Sequence, residues 1–182
     1  MAKLVSKVYG DALFEAAQDL NAVDATFEEA KTLQTIFKEH SELSGLLNHP
    51  KIVKEEKMQI MKNIFSGKIS DEMMGFLTTI VDKGRQSDIL PIFEYFIETV
   101  KEYKKIGVAT VTTAIELGEA QKTQVKERLL ATTKYVEFEM NYIVDQSLIG
   151  GMVIRIGDRV VDSSIKTQLY ELKKELLKVQ LA

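Results

Sequence analysis

VATVTTAI, from Val108 to Ile115, and VEFEMNYIV, from Val136 to Val144, change the texture of the chain after Gly107 and decide its fold class. The first is short and β-branched, which suits a strand and not a helix. The second alternates, with Val136, Phe138, Met140, Tyr142 and Val144 on one side and Glu137, Glu139 and Asn141 on the other, as in a half-buried strand. Between them Gly118 to Lys134 returns to helical spacing through Val125, Leu129 and Leu130. Further on, Met152 to Ile156 and Arg159 to Val161 flank Gly157-Asp158, which predicts a hairpin with a two-residue turn. Ser163 to Leu181 spaces Ile165, Leu169, Leu172, Leu176 and Val179 by three or four, which predicts a closing helix.

Before Gly107 the periodicity is helical throughout. Blocks at Lys3 to Asp19, Asp24 to His40, Ser41 to Asn48, Ile52 to Phe65, Asp71 to Lys83 and Asp88 to Lys105 predict six helices. Their ends carry stop and start signals: Pro50 after Asn48, Gly67 and Gly84 after apolar stretches, and Ser70 as a cap ahead of Asp71 and Glu72. The chain therefore reads as α+β, with an all-α six-helix bundle over residues 1–105. A smaller α/β domain with a short mixed sheet and two helices follows over 106–182. KEYKKIG, from Lys101 to Gly107, reads as a helix end running into a hinge or linker, or simply as a solvated helix terminus with Lys favoured by the macrodipole.

Composition narrows the function. The 182 residues hold 24 Lys and Arg against 27 Asp and Glu, a net charge of -3, whereas a general polyanion binder needs a large basic surplus. Splitting the chain at Gly107 leaves 14 basic and 17 acidic residues before it and ten of each after it, so neither half is a basic module. The absence of cysteine removes disulfides, thiolate metal sites and a Cys nucleophile. Apolar runs are far shorter than the ~20 residues that span a bilayer. MAKLVSKVYGDALFEAAQDL lacks the apolar core of a leader, so the chain is expected to be mature from Met1.

No constellation carries chemistry. Neither G-x-x-x-x-G-K-[ST] nor G-x-G-x-x-G between a strand and a helix is present, so no phosphate cradle is predicted. Gly150-Gly151 lies between two predicted strands and reads as a turn or a close backbone approach. His40 and His49 are the only imidazoles and lack converging ligands, so they read as surface residues near helix ends. Glu28-Glu29, Glu55-Glu56 and Asp71-Glu72 are adjacent and hence splayed around their helices. Ser163-Ser164 reads as the cap of the last helix. No catalytic residue, cofactor or metal is expected.

What remains is surface. At about 100° per residue, Leu4, Val5, Val8, Tyr9, Ala12, Leu13, Ala16 and Leu20 fill nearly half of the first helix, more than one neighbouring helix covers. The fifth helix shows two stripes, Met73, Met74, Leu77 and Val81 on one side and Phe76, Thr79, Ile80 and Lys83 on the other. The second stripe serves either another bundle helix or a groove that accepts an amphipathic helix from another protein.

The stretch IVDQSLIGGMVIRIGDRVVDSSIKTQLYELKKEL, from Ile143 to Leu176, closely resembles the C-terminal signature of the delta subunit of bacterial F-type ATP synthases, the counterpart of the mitochondrial oligomycin-sensitivity-conferring protein. Its elements are D-x-S-L-I-G-G at Asp145 to Gly151, R-I-G-D at Arg155 to Asp158, V-V-D-S-S at Val160 to Ser164, and the spaced leucines that follow. Gln146 stands where Pro is common and Ser163 where Gly is common. VYGDALFEAA (Val8 to Ala17) and DKGRQSDILPIFEYF (Asp82 to Phe96) are similar to the same family.

The resemblance implies a non-catalytic stator subunit in the peripheral stalk, at the cytoplasmic face of the bacterial cell membrane. The helical domain would hold N-terminal helices of the alpha subunits on the catalytic head. The C-terminal domain would hold the far end of the b-subunit helices, so that the head resists rotor torque during proton-driven ATP synthesis. Carried over as walls of the alpha-helix groove are Tyr9, Ala12, Leu13, Ala16, Phe76, Thr79, Ile80 and Lys83. Two other classes are weighed against this one. A helical nucleic-acid-binding module would use Lys101, Lys104 and Lys105, and a small enzyme would need converging carboxylates that the sequence does not offer.

Overall fold

The computed structural model describes residues 2–179, and the chain divides between Lys101 and Glu102 into two compact units. The first holds α1 (Ala2–Asp19), α2 (Val23–Glu39), α3 (Ser41–Leu47), α4 (Lys54–Phe65), α5 (Asp71–Asp82) and all but the last two residues of α6 (Ile89–Tyr103), with one 3-10 turn at Gln86–Asp88. These are the six helices that the periodicity predicts.

Spacing explains which face of each helix is buried. In α6, Ile89, Ile92, Phe93, Phe96, Ile97 and Val100 recur every three or four residues and all are buried. In α2 the same rule buries Phe27, Ala30, Leu33 and Phe37, and Phe37 stacks on Phe65 of α4 with ring centroids 6.2 Å apart. Helix α5 starts at a Ser70 cap, whose Oγ accepts from the Met73 N–H at 3.3 Å. It stops in a Schellman arrangement: Arg85 N–H donates to Ile80 O at 2.9 Å and Gly84 N–H to Val81 O at 3.0 Å, with Gly84 at φ +68.

Helix α1 meets the bundle through small residues. Its buried positions are Ser6, Gly10, Leu13 and Ala17, again three or four apart. At Gly10 the approach is so close that an added Cβ would collide with Cδ1 of Tyr95, and the Tyr95 hydroxyl donates to Asp11 Oδ1 at 3.0 Å. The opposite side of α1 stays in solvent, with Leu4 69% and Val8 58% exposed.

The second unit contains β1 (Ile106–Thr113), α7 (Glu119–Thr132), β2 (Glu137–Val144), β3 (Met152–Ile156), β4 (Arg159–Asp162) and α8 (Ile165–Val179). Only Lys104 and Lys105 separate α6 from β1, and Lys105 turns the chain at φ +56, so the stretch from Lys101 is a helix end and a tight turn. The sheet is mixed, in the order β2-β1-β3-β4. Strand β1 pairs parallel with β2 across the α7 crossover and antiparallel with β3. Register places Met140, Ala109 and Ile156 in one row and Tyr142, Val111 and Ile154 in the next. Ala109, Val111 and Phe138 on this face are buried.

The half-buried alternation predicted for Val136 to Val144 holds only in its middle. Val136 precedes β2, where its N–H donates to Lys105 O, and its side chain is exposed; Val144 at the far end of the strand is exposed too. The α8 seam is not packed: Ile165, Leu169, Leu172 and Leu176 are all exposed. Leu181 and the side chain of Val179 lie outside the described residues.

The junction before α8 is closely built. Gly151, at φ +74, lies where a Cβ would strike the Ser163 carbonyl, so the strain and the space both demand glycine. Asp162 accepts from Ser164 N–H at 2.8 Å and from the Thr167 hydroxyl at 2.8 Å, and Ser164 Oγ in turn accepts from Thr167 N–H at 3.3 Å, capping α8. The Ser164 backbone donor, followed by the Ser164 and Thr167 hydroxyls, lowers the Asp162 pKa.

Two outcomes follow from this packing. Alanine at a solvent-facing helical glycine gains about 0.5–1 kcal/mol, so Gly45→Ala, with open space around it, stabilises the protein. Gly10→Ala reverses the sign, because displacing Tyr95 costs about 1–3 kcal/mol; urea denaturation of the two variants checks the contrast. A carboxylate with a lowered folded pKa stabilises above its unfolded value and loses that contribution as pH falls through the folded one. Protection of the amides around Ser164 to Thr167, taken relative to their intrinsic exchange at each pH, is therefore expected to fall below about pH 3.8, the ordinary value for an aspartate, and Asp162→Asn removes most of that dependence.

Candidate docking groove on the helical unit

Beside the exposed side of α1 runs an open groove of about 450 Å3. Its α1 wall is Ala12, Leu13, Ala16 and Ala17, and Met73 and Phe76 of α5 face it. Ala22, Ala25 and Thr26, at the start of α2, close one end together with Leu20. A tight corner brings α2 there: Asn21 turns at φ +51 and Ala22 N–H donates to Ala17 O at 2.9 Å. The α1 and α5 walls are aliphatic side chains, Met73 and one aromatic ring, and Phe76 is braced from behind by Phe93 with ring centroids 6.5 Å apart.

Four of the eight predicted wall residues line this groove: Ala12, Leu13, Ala16 and Phe76. Leu13 contributes from below, since it is buried in the core. The other four do not. Ile80 is 0% exposed and belongs to the core, because at about 100° per residue it falls within about 20° of Met73 on α5. Tyr9 is half-buried against the core. Thr79 is exposed on the far side of α5, with its hydroxyl donating to Gly75 O at 2.8 Å, and Lys83 caps the end of that helix. Spacing alone divides α5 into two stripes where the fold has one core face with Phe76 on its flank. The residues that periodicity missed, Ala22, Ala25, Thr26 and Glu29, come from α2, and only the corner after Asp19 brings them near α1.

A polar clamp fixes the α5 end of the groove. Glu29 accepts from both Ser70 N–H at 3.1 Å and Ser70 Oγ at 2.7 Å, tying α2 to the cap of α5. Glu72 follows at the rim, exposed. Among the described residues no group of His, Asp and Glu is placed to hold a metal ion, and no helix is long and apolar enough to cross a membrane. His40 and His49 are exposed and separate from the groove.

The family model for the ATP synthase delta (OSCP) subunit matches residues 5–176. The chain belongs to that family. It is 56% identical over 181 residues to the ATP synthase subunit delta of Lachnoclostridium phytofermentans, covering 100% of both chains. The corresponding protein of Desulforamulus reducens is 39% identical over 173 residues, covering 95% of each. A chain of the Toxoplasma gondii mitochondrial ATP synthase hexamer shares the fold at a TM-score of 0.74 and 19% identity, over 94% of this chain and 97% of that one. As a delta (OSCP) subunit, the protein is a peripheral-stalk component of the F-type ATP synthase and part of a membrane-associated complex.

The clamp is the feature of this site most open to direct test. Ser70→Ala removes a helix cap worth about 1 kcal/mol and also strips the hydroxyl contact to Glu29, leaving that half-buried carboxylate with only the Ser70 N–H as donor. The expected loss is about 2 kcal/mol in urea denaturation, with Ser70→Thr recovering most of it.

Proposed function

We propose that the groove of Ala12, Ala16 and Phe76 receives an N-terminal helix of the alpha subunit, and that the unit after Lys101 receives the C-terminal helices of the b subunit. The protein is then a non-catalytic adaptor, without cofactor, at the cytoplasmic face of the bacterial cell membrane. It ties head to stalk so that the head does not turn with the central shaft. What carries this reading is an apolar, open groove between helices, walled by alanines that admit a foreign helix closely. The small wall residues matter because a helix meeting Ala12 and Ala16 approaches nearer than one meeting leucines.

For the stalk side, the support is the α8 seam. Leu169, Leu172 and Leu176 lie three and four apart, more than half exposed, as an amphipathic helix awaiting a partner. Burying such a side chain fully is worth about 1.5–3 kcal/mol, so a few of them supply most of a docking interaction.

Titrating the full chain with a peptide from the N-terminus of the alpha subunit tests the head contact. Ala12→Asp is expected to weaken that binding roughly tenfold or more, since an unpaired carboxylate would be desolvated under the peptide. Ala12 is exposed, so the circular dichroism spectrum should stay unchanged. Saturable binding that is indifferent to Ala12→Asp refutes the groove. Leu172→Asp should leave binding of that peptide untouched while abolishing capture of a helix from the C-terminus of the b subunit.

A further inference from the structure

The groove is electrically uneven, and its charge says something about the helix that fits it. Apart from two hydroxyl groups, those of Thr26 and Ser70, its polar lining is acidic: Glu29 and Glu72. Both carboxylate oxygens of Glu29 are occupied by neutral donors from Ser70, so the group is held in place while its charge is left without a cation. Glu72 is exposed at the rim in the first turn of α5 and takes part in no ion pair among the described residues. The α5 N-terminus offsets only about half of one elementary charge. No Lys or Arg lines the groove.

An apolar helix laid over Ala16 and Phe76 would exclude water from this end and strengthen the field of both carboxylates. A helix carrying Glu or Asp there would meet uncompensated like charge, whereas Lys or Arg would be paired. Resting on the docking reading above, we infer that the groove selects a cationic amphipathic helix. Its apolar anchors sit on Ala12, Ala16 and Phe76 and a flanking Lys or Arg sits at Glu72, with the fixed charge of Glu29 behind. Glu72 is then a specificity residue and not an affinity anchor, because opposite charge across a rim sets partner choice more than total binding energy.

The test uses the full chain and two synthetic helical peptides with identical leucines at i, i+3, i+4 and i+7, one flanked at both ends by Lys and the other by Glu. Fluorescence anisotropy should show the Lys peptide binding roughly threefold to fivefold more tightly at low salt. The preference should shrink as salt is raised and reverse in Glu72→Lys. Ala16→Asp should abolish binding of both peptides. Equal binding of the two peptides by the wild type and by Glu72→Lys, with Ala16→Asp still blocking both, overturns the charge selection and leaves the groove standing. If neither peptide binds the wild type, the docking reading fails and the charge selection with it.

Discussion

Gly10 holds α1 against Tyr95 at a distance that no side chain tolerates, and that close approach decides what the rest of α1 can do. A helix packed through Ser6, Gly10, Leu13 and Ala17 uses a narrow face, and the remaining apolar residues cannot be covered by the same neighbour. Leu4, Val8, Ala12 and Ala16 are left outside. Of these, Ala12 and Ala16 form the wall of a groove whose other sides come from α5 and the start of α2. An apolar surface of this kind on a folded bundle, rimmed by carboxylates, supports the proposed docking reading.

The second unit meets the same problem with different elements. Its sheet is organised by β1, which pairs on both edges and buries Ala109 and Val111. The junction from Asp162 to Thr167 fixes where α8 starts, through the Ser164 cap and the glycine at 151. Beyond that junction α8 leaves its leucines exposed. Each unit thus has an anchored element with one apolar side unused. Two such surfaces on two units agree with the proposal that this peripheral-stalk subunit holds two partners at once.

Much of this fold is legible in the chain because its signals are local. Six helices follow from apolar spacing of three and four, and the caps at Ser70 and Ser164 and the stop at Gly84 follow from residue type. The strands follow from β-branching at Val108 to Ile115 and alternation at Val136 to Val144, with ends that shift by one or two residues to Ile106–Thr113 and Glu137–Val144. Part of the groove is legible for the same reason, since Ala12, Ala16 and Phe76 declare themselves on their own helices. The rest depends on tertiary placement. Ile80 and Phe76 share a predicted stripe, yet the core face of α5 is centred near Leu77 and takes Ile80 while leaving Phe76 at its edge. Ala25 and Glu29 enter the site only through the corner at Asn21, a long-range consequence that periodicity does not encode. The α8 seam shows the converse: amphipathic spacing predicts a helix but not which molecule covers it.

The proposed docking face lies on helices α1 and α5, in front of a closed core. Backbone amide chemical-shift mapping of the full chain, titrated with a peptide from the N-terminus of the alpha subunit, probes this most directly. The largest shifts should fall at Ala12, Ala16, Ala25 and Phe76, with the amides of Leu33, Val100 and the strands β1 to β4 nearly unmoved. Shifts concentrated in the second unit, or spread evenly through the bundle core, would contradict it.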